Sequence, residues 1–150
     1  MKFPWSMKGL FVRKSLPWVA YLGLFAAGCG GSGRPVTKED MLTTSLNDVG
    51  DIYRSYLVMN KKPPGSLKDL ASLERMSPAG VVAVRSGEVV VRFGARLPDT
   101  DLESGKSPSG EVLAYEKDVP EKGGKVLMLD RTIRVVTADE FKAMPKAGVP

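Results

Sequence analysis

The sequence predicts an α+β domain in which helices come first and an antiparallel sheet follows. Over residues 38–60, apolar residues recur three and four positions apart, as they do on one face of a helix. From residue 81 onward, short runs rich in β-branched residues alternate with glycine, proline and polar turns. We therefore expect a long helix and a short helix packed on an antiparallel meander sheet of about five strands, followed by a short C-terminal helix.

The long helix has a clear start and a clear end in the sequence. Thr37 is a good N-cap, and Glu39 and Asp40 place carboxylates in the first turn, where they suit the helix dipole. The helix should end before Pro63-Pro64, because a residue that precedes proline disfavours the α conformation. Its predicted buried face comprises Leu42, Leu46, Val49, Ile52, Tyr53, Tyr56 and Leu57.

The next segments predict a short helix and a hairpin. Ser66, with Asp69 three positions later, is typical of a helix N-cap, and the two-turn helix that follows would bury its leucines. Residues 81–84 and 88–93 are β-branched runs separated by a turn that contains Gly87. This pattern predicts a β-hairpin, with helices on one face of the sheet.

The second half of the chain predicts a loop, three strands and a last helix. Residues 94–110 have turn and loop composition throughout. Strands are predicted at residues 111–116, 125–129 and 133–136, with Asp130-Arg131 as the turn between the last two. Thr137 and Glu140 form a capping box that opens the final helix. The domain is expected to span residues 37–144, and residues 145–150 are expected to be a frayed tail.

The net charge of +5 comes almost entirely from the N-terminus. Residues 1–28 contain four basic residues and no acid, which leaves a net charge of +1 for residues 29–150. The basic start is followed by an apolar run over residues 16–28, shorter than the roughly 20 residues that span a bilayer. This order is typical of a secretory signal peptide, so we predict one over residues 1–28. The charge therefore gives no reason to expect nucleic-acid binding.

The end of this segment, Ala26-Ala27-Gly28-Cys29, resembles the lipobox of bacterial lipoproteins. The single cysteine of the chain falls at the junction, although Ala26 stands where leucine is usual. The resemblance implies that Cys29 is lipidated, that residues 29–36 are a flexible tether, and that lipid holds the protein at the membrane. Because Gly30 is not aspartate, the resemblance favours the outer membrane, on its periplasmic or surface side. The alternative is a secreted protein that keeps Cys29 as a free thiol.

Beyond the tether, the sequence resembles the globular parts of type IV pilin-like proteins, especially type II secretion pseudopilins. The resemblance rests on the helix with Tyr53 and Tyr56, and on the segments at 62–70, 112–116 and 123–130. It implies a place in a secretion or pilus-like assembly. The late turn reads Asp130-Arg131 where Asp-Gly is frequent, and the hydrophobic spine by which pilins polymerise is absent. We therefore expect a pilin-like domain on a lipid anchor and not a filament subunit.

One loop carries a candidate metal site. Asp99, Asp101 and Glu103 place carboxylates at alternate positions, and such oxygens can converge on a hard cation such as calcium. The spacing of an EF-hand is missing, and a solvated acidic loop explains the same residues. No other cofactor is predicted.

Composition excludes several chemistries. Without histidine there is no His-based triad and no imidazole metal ligand, and one cysteine excludes an internal disulfide. We predict a non-enzymatic, lipid-anchored cell-envelope protein that presents its domain for contacts with envelope or secretion proteins. The alternatives are an accessory component of a type II secretion or pilus-like assembly, and a small envelope hydrolase. The hydrolase would use carboxylates drawn from Glu88, Glu111, Glu116 and Asp130.

Overall fold

The computed structural model describes residues 35–148, so the predicted signal peptide, Cys29 and most of the tether lie outside the described residues. The predicted α+β class is confirmed: helices accompany a four-stranded antiparallel sheet of order β1-β2-β3-β4. The elements are α1 Lys38–Asn60, α2 Leu67–Ala71, α3 Pro78–Arg85, β1 Val89–Val91, β2 Val112–Glu116, α4 Val119–Lys122, β3 Gly124–Met128, β4 Ile133–Val136 and α5 Ala138–Ala143.

Helix α1 has the bounds that its pattern predicted. The Thr37 hydroxyl accepts a hydrogen bond from the N–H of Asp40 at 3.2 Å, and the Asp40 carboxylate accepts one from the N–H of Thr37 at 3.0 Å. This reciprocal capping box satisfies two N–H groups at the helix start. The helix closes at Lys61, which adopts the left-handed conformation and donates its N–H to the carbonyl of Leu57 at 2.8 Å.

Helix α2 starts where it was predicted, but its cap differs. The Ser66 side chain makes no cap hydrogen bond to the helix backbone. The Asp69 carboxylate instead accepts a hydrogen bond from the N–H of Gly65 at 2.8 Å. That bond holds the chain that enters the helix, and Leu70 is the residue that α2 buries in the core.

Residues 81–84, predicted as a strand, belong to helix α3, so the predicted hairpin is wrong and the sheet has four strands, not five. Pro78 lies in the first turn, where its fixed φ favours a helix. The N–H of Gly80 donates to the Asp48 carboxylate of α1 at 3.2 Å, which supplies the cap acceptor that Ser77 does not. A contact from another element therefore overrides the β preference of the valines.

Strand β2 contains a β-bulge. Val112 pairs with Met128 and Ala114 with Leu127, so β2 has one more residue than β3 between these pairs. The extra residue, Leu113, and its neighbour Ala114 both lie in the core on the α1 side. The bulge thus places two consecutive side chains on one face, which regular alternation does not allow.

Helices cover both faces of the sheet, and the prediction of helices on one face is wrong. Leu127 belongs to the larger core with α1, whereas Val126 and Met128 point to the other face. On that second face Val119 of α4 and Phe141 of α5 complete a smaller core. Helix α4 was not predicted, because only one of its residues is buried.

The chain after α5 is ordered, so the predicted frayed tail is wrong for residues 145–148. The Val112 N–H donates to the carbonyl of Pro145, and the Ala147 N–H donates to the carbonyl of Val112, both at 2.9 Å. Ala147 is buried in the larger core. The Arg92 guanidinium donates to the carbonyl of Ala147 at 3.0 Å. The segment carries no helix or strand pattern in the sequence, yet its backbone pairs with β2.

Candidate functional site

The C-terminal half of α1 lies against the start of the loop formed by residues 94–110. The Tyr53 hydroxyl donates a hydrogen bond to the carbonyl of Ala95 at 2.9 Å. Tyr53 is fully buried, and this burial raises the pKa of its hydroxyl to about 12. The hydroxyl therefore stays protonated, and remains a donor to the loop, throughout the neutral pH range.

Two arginines bind the backbone of the same loop further along. Arg54 of α1 donates through Nε to the carbonyls of Thr100 and Asp101, each at 2.8 Å. Arg131, in the turn between β3 and β4, donates to the carbonyl of Asp101 and to that of Glu103, the latter at 2.9 Å. Residues from two distant parts of the chain therefore fix the loop beside α1.

A surface cavity of about 450 Å³ lies between the end of α1 and this loop. Its lining includes Leu57, Val58, Lys61, Arg96, Leu97 and Asp99. Leu57 and Leu97 are buried and form an apolar wall, whereas Lys61 and Arg96 are exposed. Within residues 35–148, neither of these two cationic side chains makes a hydrogen bond or an ion pair. The arrangement can accept an anionic group that carries an apolar neighbour.

The one carboxylate of this lining is already engaged by the loop. Hydrogen bonding from the Ser107 hydroxyl holds the pKa of Asp99 below its ordinary value, and the N–H of Asp101 and the charge of Arg131 act in the same direction. The Asp101 N–H lies 3.1 Å from the Asp99 carboxylate, and the Arg131 guanidinium lies 3.8 Å from it. Asp99 is therefore held as an anion, chiefly by the Ser107 hydroxyl and with a smaller contribution from Arg131.

The three carboxylates of the predicted calcium site do not converge. Asp101 and Glu103 are exposed, and Glu103 forms a 2.7 Å ion pair with Lys106. Among residues 35–148, no group of three acidic or cysteine side chains is placed to hold a metal ion. The backbone carbonyls of Leu102 and Glu103 in this loop accept hydrogen bonds from the Arg131 guanidinium.

The four carboxylates considered for a hydrolase separate into two groups. Because Val89 pairs with Glu116, Glu88 and Glu116 lie at one end of the sheet. Glu111 and Asp130 lie at the other end, where the N–H of Leu129 donates to the carbonyl of Glu111. Strand β2 separates the two groups by about 16 Å, given the usual rise of about 3.3 Å per residue. These four side chains therefore do not share one cleft.

Lys125 of β3 connects this strand to α1. Its ammonium group donates to the Thr43 hydroxyl at 2.7 Å and pairs with the Glu39 carboxylate at 3.0 Å. Tyr115 packs on Phe141 with ring centroids 4.7 Å apart. Both residues therefore contribute to packing between elements.

Lys61 and Arg96 were not predicted as site residues, because no sequence signal links positions that far apart. Cys29, the predicted lipidation site, lies outside the described residues. Within residues 35–148 no helix is long and apolar enough to cross a bilayer. Comparisons with protein-family models, with curated proteins and with solved structures found no match.

Proposed function

We propose that this protein is a non-enzymatic, lipid-anchored component of the cell envelope that presents its α+β domain for contacts with other proteins. The observation that carries the proposal is the order of the N-terminus: basic residues, an uncharged apolar run, and the only cysteine of the chain at Cys29. Lipid on Cys29 would hold the protein at the outer membrane. Two or more acyl chains give stable anchoring without a membrane-spanning helix.

The described domain supports a role in contacts more than a role in catalysis. Glu88 and Glu116 lie at the opposite end of β2 from Glu111 and Asp130. A general acid and a general base need a shared cleft, and this separation prevents carboxylates from opposite ends of β2 from acting together. In contrast, apolar side chains such as Met59 and Val82 are more than half exposed on α1 and α3. Neither calcium nor nucleic acid is part of the proposed function.

Metabolic labelling with radioactive palmitate tests the anchor. The wild-type protein should incorporate label and fractionate with the outer membrane, and Cys29→Ser should do neither. The Ser32→Ala variant, in the same tether, is the matched control and should behave as wild type. Label on the Cys29→Ser protein would contradict the proposal.

A second candidate is an accessory component of a type II secretion or pilus-like assembly. It is favoured by one observation, the long helix α1 packed against an antiparallel meander sheet. This is an analogy at the level of the fold, and fold alone does not fix function. Cross-linking in intact cells followed by affinity purification should recover secretion components. Recovery of envelope proteins unrelated to secretion would favour the more general proposal.

A further inference from the structure

We propose that the cavity between the end of α1 and the loop at residues 94–110 binds a carboxylate of an acidic peptide segment, with an apolar residue beside that carboxylate. This inference rests on the proposed function, because it names the chemistry of the protein partner. It concerns residues that lie at the opposite end of α1 from the tether. A helix of this length spans about 34 Å, so the cavity lies well away from Thr37 at the start of α1.

The first support is charge. Lys61 and Arg96 approach the cavity from two different segments, and in the described part of the chain neither side chain has a hydrogen-bonding or ionic partner. A guanidinium can hold a carboxylate through two parallel hydrogen bonds, and an ammonium adds a flexible point charge. Within the described residues Asp99 forms no ion pair with either cation; its carboxylate accepts hydrogen bonds from Ser107 and the Asp101 N–H and lies 3.8 Å from Arg131.

The second support is the apolar wall beside these charges. Leu57 and Leu97 form its buried part, and Val58 is more than one third exposed at its rim. A volume of about 450 Å³ accommodates a short stretch of chain with one charged and one apolar side chain. Ligand pockets commonly combine an apolar lining with a small number of precisely placed polar groups.

The place of the cavity in the fold favours a carboxylate over a phosphate. Lys61 is the C-cap of α1, so the cavity borders the end of the helix at which unpaired carbonyls concentrate negative partial charge. That field opposes a dianion more than a monoanion. Phosphate sites commonly use the opposite, N-terminal end of a helix, where backbone N–H groups point at the anion.

Fluorescence anisotropy of a labelled peptide, titrated with the full chain in detergent, tests the inference. The probe is Ser-Gly-Leu-Glu-Gly-Ser, and the matched peptide carries glutamine in place of glutamate. Arg96→Gln removes one cation of the cavity, and Arg134→Gln removes an exposed arginine from β4 as the control. Lys61→Asn removes the other cation with a residue that tolerates the left-handed conformation.

The glutamate peptide should bind more tightly than the glutamine peptide, and added salt should weaken its binding. Arg96→Gln and Lys61→Asn should each weaken it about fivefold, the change expected for one exposed ion pair, while Arg134→Gln should not. Equal binding of the two peptides, or equal effects of Arg96→Gln and Arg134→Gln, would overturn the inference. Binding of inorganic phosphate or of anionic phospholipid vesicles without binding of the peptide would overturn it too. Palmitate labelling tests the anchor separately, so failure of one proposal leaves the other measurable.

Discussion

Single residues hold the loop at residues 94–110 in place, and the Arg131 side chain binds three of its backbone carbonyls. Its side chain is only 3% exposed, and it donates to the carbonyls of Asp101, Leu102 and Glu103. Its own backbone has φ of 64°, a left-handed conformation that is unfavourable for most residues. The guanidinium contacts therefore offset backbone strain in the turn after β3.

Replacing Arg131 with asparagine should lower the free energy of unfolding by about 2 kcal/mol, since several charge-assisted hydrogen bonds are lost. Asparagine tolerates the left-handed conformation, so the loss reports the guanidinium and not the backbone. Lys61→Asn is the matched control, because Lys61 is also left-handed but exposed, and its side chain has no partner among residues 35–148. Urea unfolding measures both variants, and equal losses would contradict the assignment.

Asp130, the neighbour of Arg131, makes a pH-dependent contribution to stability. Burial raises the pKa of its carboxyl, but hydrogen bonds from the Thr132 hydroxyl and N–H and from the Ser109 N–H outweigh this and hold the pKa below its ordinary value of 3.8. The Thr132 hydroxyl lies 2.6 Å from the carboxylate. A lowered pKa in the folded state means that the stabilisation is complete above 3.8 and is lost as the pH falls through the folded value.

The urea midpoint of the wild type should therefore fall on acidification from about pH 5 to about pH 2, and Asp130→Asn should fall less steeply over this range. Asp139→Asn changes the same charge at the surface, where Asp139 pairs with Lys142 at 3.4 Å. The urea midpoint should fall with pH at a similar slope in the wild type and in Asp139→Asn. A slope of Asp130→Asn as steep as that of the wild type would contradict the role of this carboxylate.

At the scale of elements, the sequence predicted those elements whose signals are local. Helices α1 and α5 begin after the N-caps Thr37 and Thr137, as predicted. The capping box at Thr137 is formed as predicted, and Thr37, predicted only as an N-cap, also forms a capping box with Asp40. The signals for α3 are shared between two elements, because its cap acceptor is Asp48 of α1. Periodicity within residues 81–84 could not reveal that contact. The Ser77-Pro78 pair was the local signal that favoured a helix start.

In the candidate site, too, only the local sequence pattern was predictable, and contacts between distant segments were not. The carboxylates of Asp99, Asp101 and Glu103 were visible as a pattern, but the sequence could not show that Arg131 would bind the backbone between them. Likewise, Lys61 and Arg96 share a cavity only because α1 packs against the loop.

The close packing of α3 on α1 depends on a small residue. A Cβ added at Gly80 would lie 2.8 Å from the Asp48 Cβ and 2.9 Å from the backbone nitrogen of Val49, closer than such atoms can approach. Gly80→Ala should therefore lower the free energy of unfolding by about 1–3 kcal/mol. At Gly50 of α1 the nearest atoms would be 3.6 Å away, an ordinary contact. Gly50→Ala should raise stability by up to about 1 kcal/mol through helix propensity.

Both substitutions add the same methyl group to a helix. If one lowers and the other raises the free energy of unfolding, the difference reports the effect of packing. Thermal and urea unfolding of both variants would measure these changes in stability. Equal stabilisation by Gly80→Ala and Gly50→Ala would mean that α3 can move away from α1 without loss, and would contradict a tightly packed pair.

At the scale of the molecule, the sheet is the middle layer between two cores. The larger core joins it to α1, α2 and α3, and the smaller core joins it to α4 and α5. Met128 and Leu127, adjacent in β3, belong to different cores. A substitution that destabilises one core is therefore expected to destabilise the other, because the two cores share the same strands.

The C-terminal segment is the last part that joins these layers, and deleting residues 145–150 tests its importance. The deletion removes both backbone hydrogen bonds to Val112, which is fully buried, together with the buried Ala147. It also removes Lys146, whose ammonium group lies 4.2 Å from the centre of the Phe141 ring. Because two buried backbone groups lose their partners, the free energy of unfolding should fall by about 3 kcal/mol or more.

Deletion of residues 149–150 alone is the control, since every contact named above is retained. Urea unfolding should separate the two truncations clearly, and exchange of the Val112 amide hydrogen should accelerate only in the longer one. If both truncations matched the full chain, the pairing of the tail with β2 would contribute nothing. Since Val112 belongs to the smaller core and Ala147 to the larger, loss in the longer truncation would show that the tail stabilises both layers.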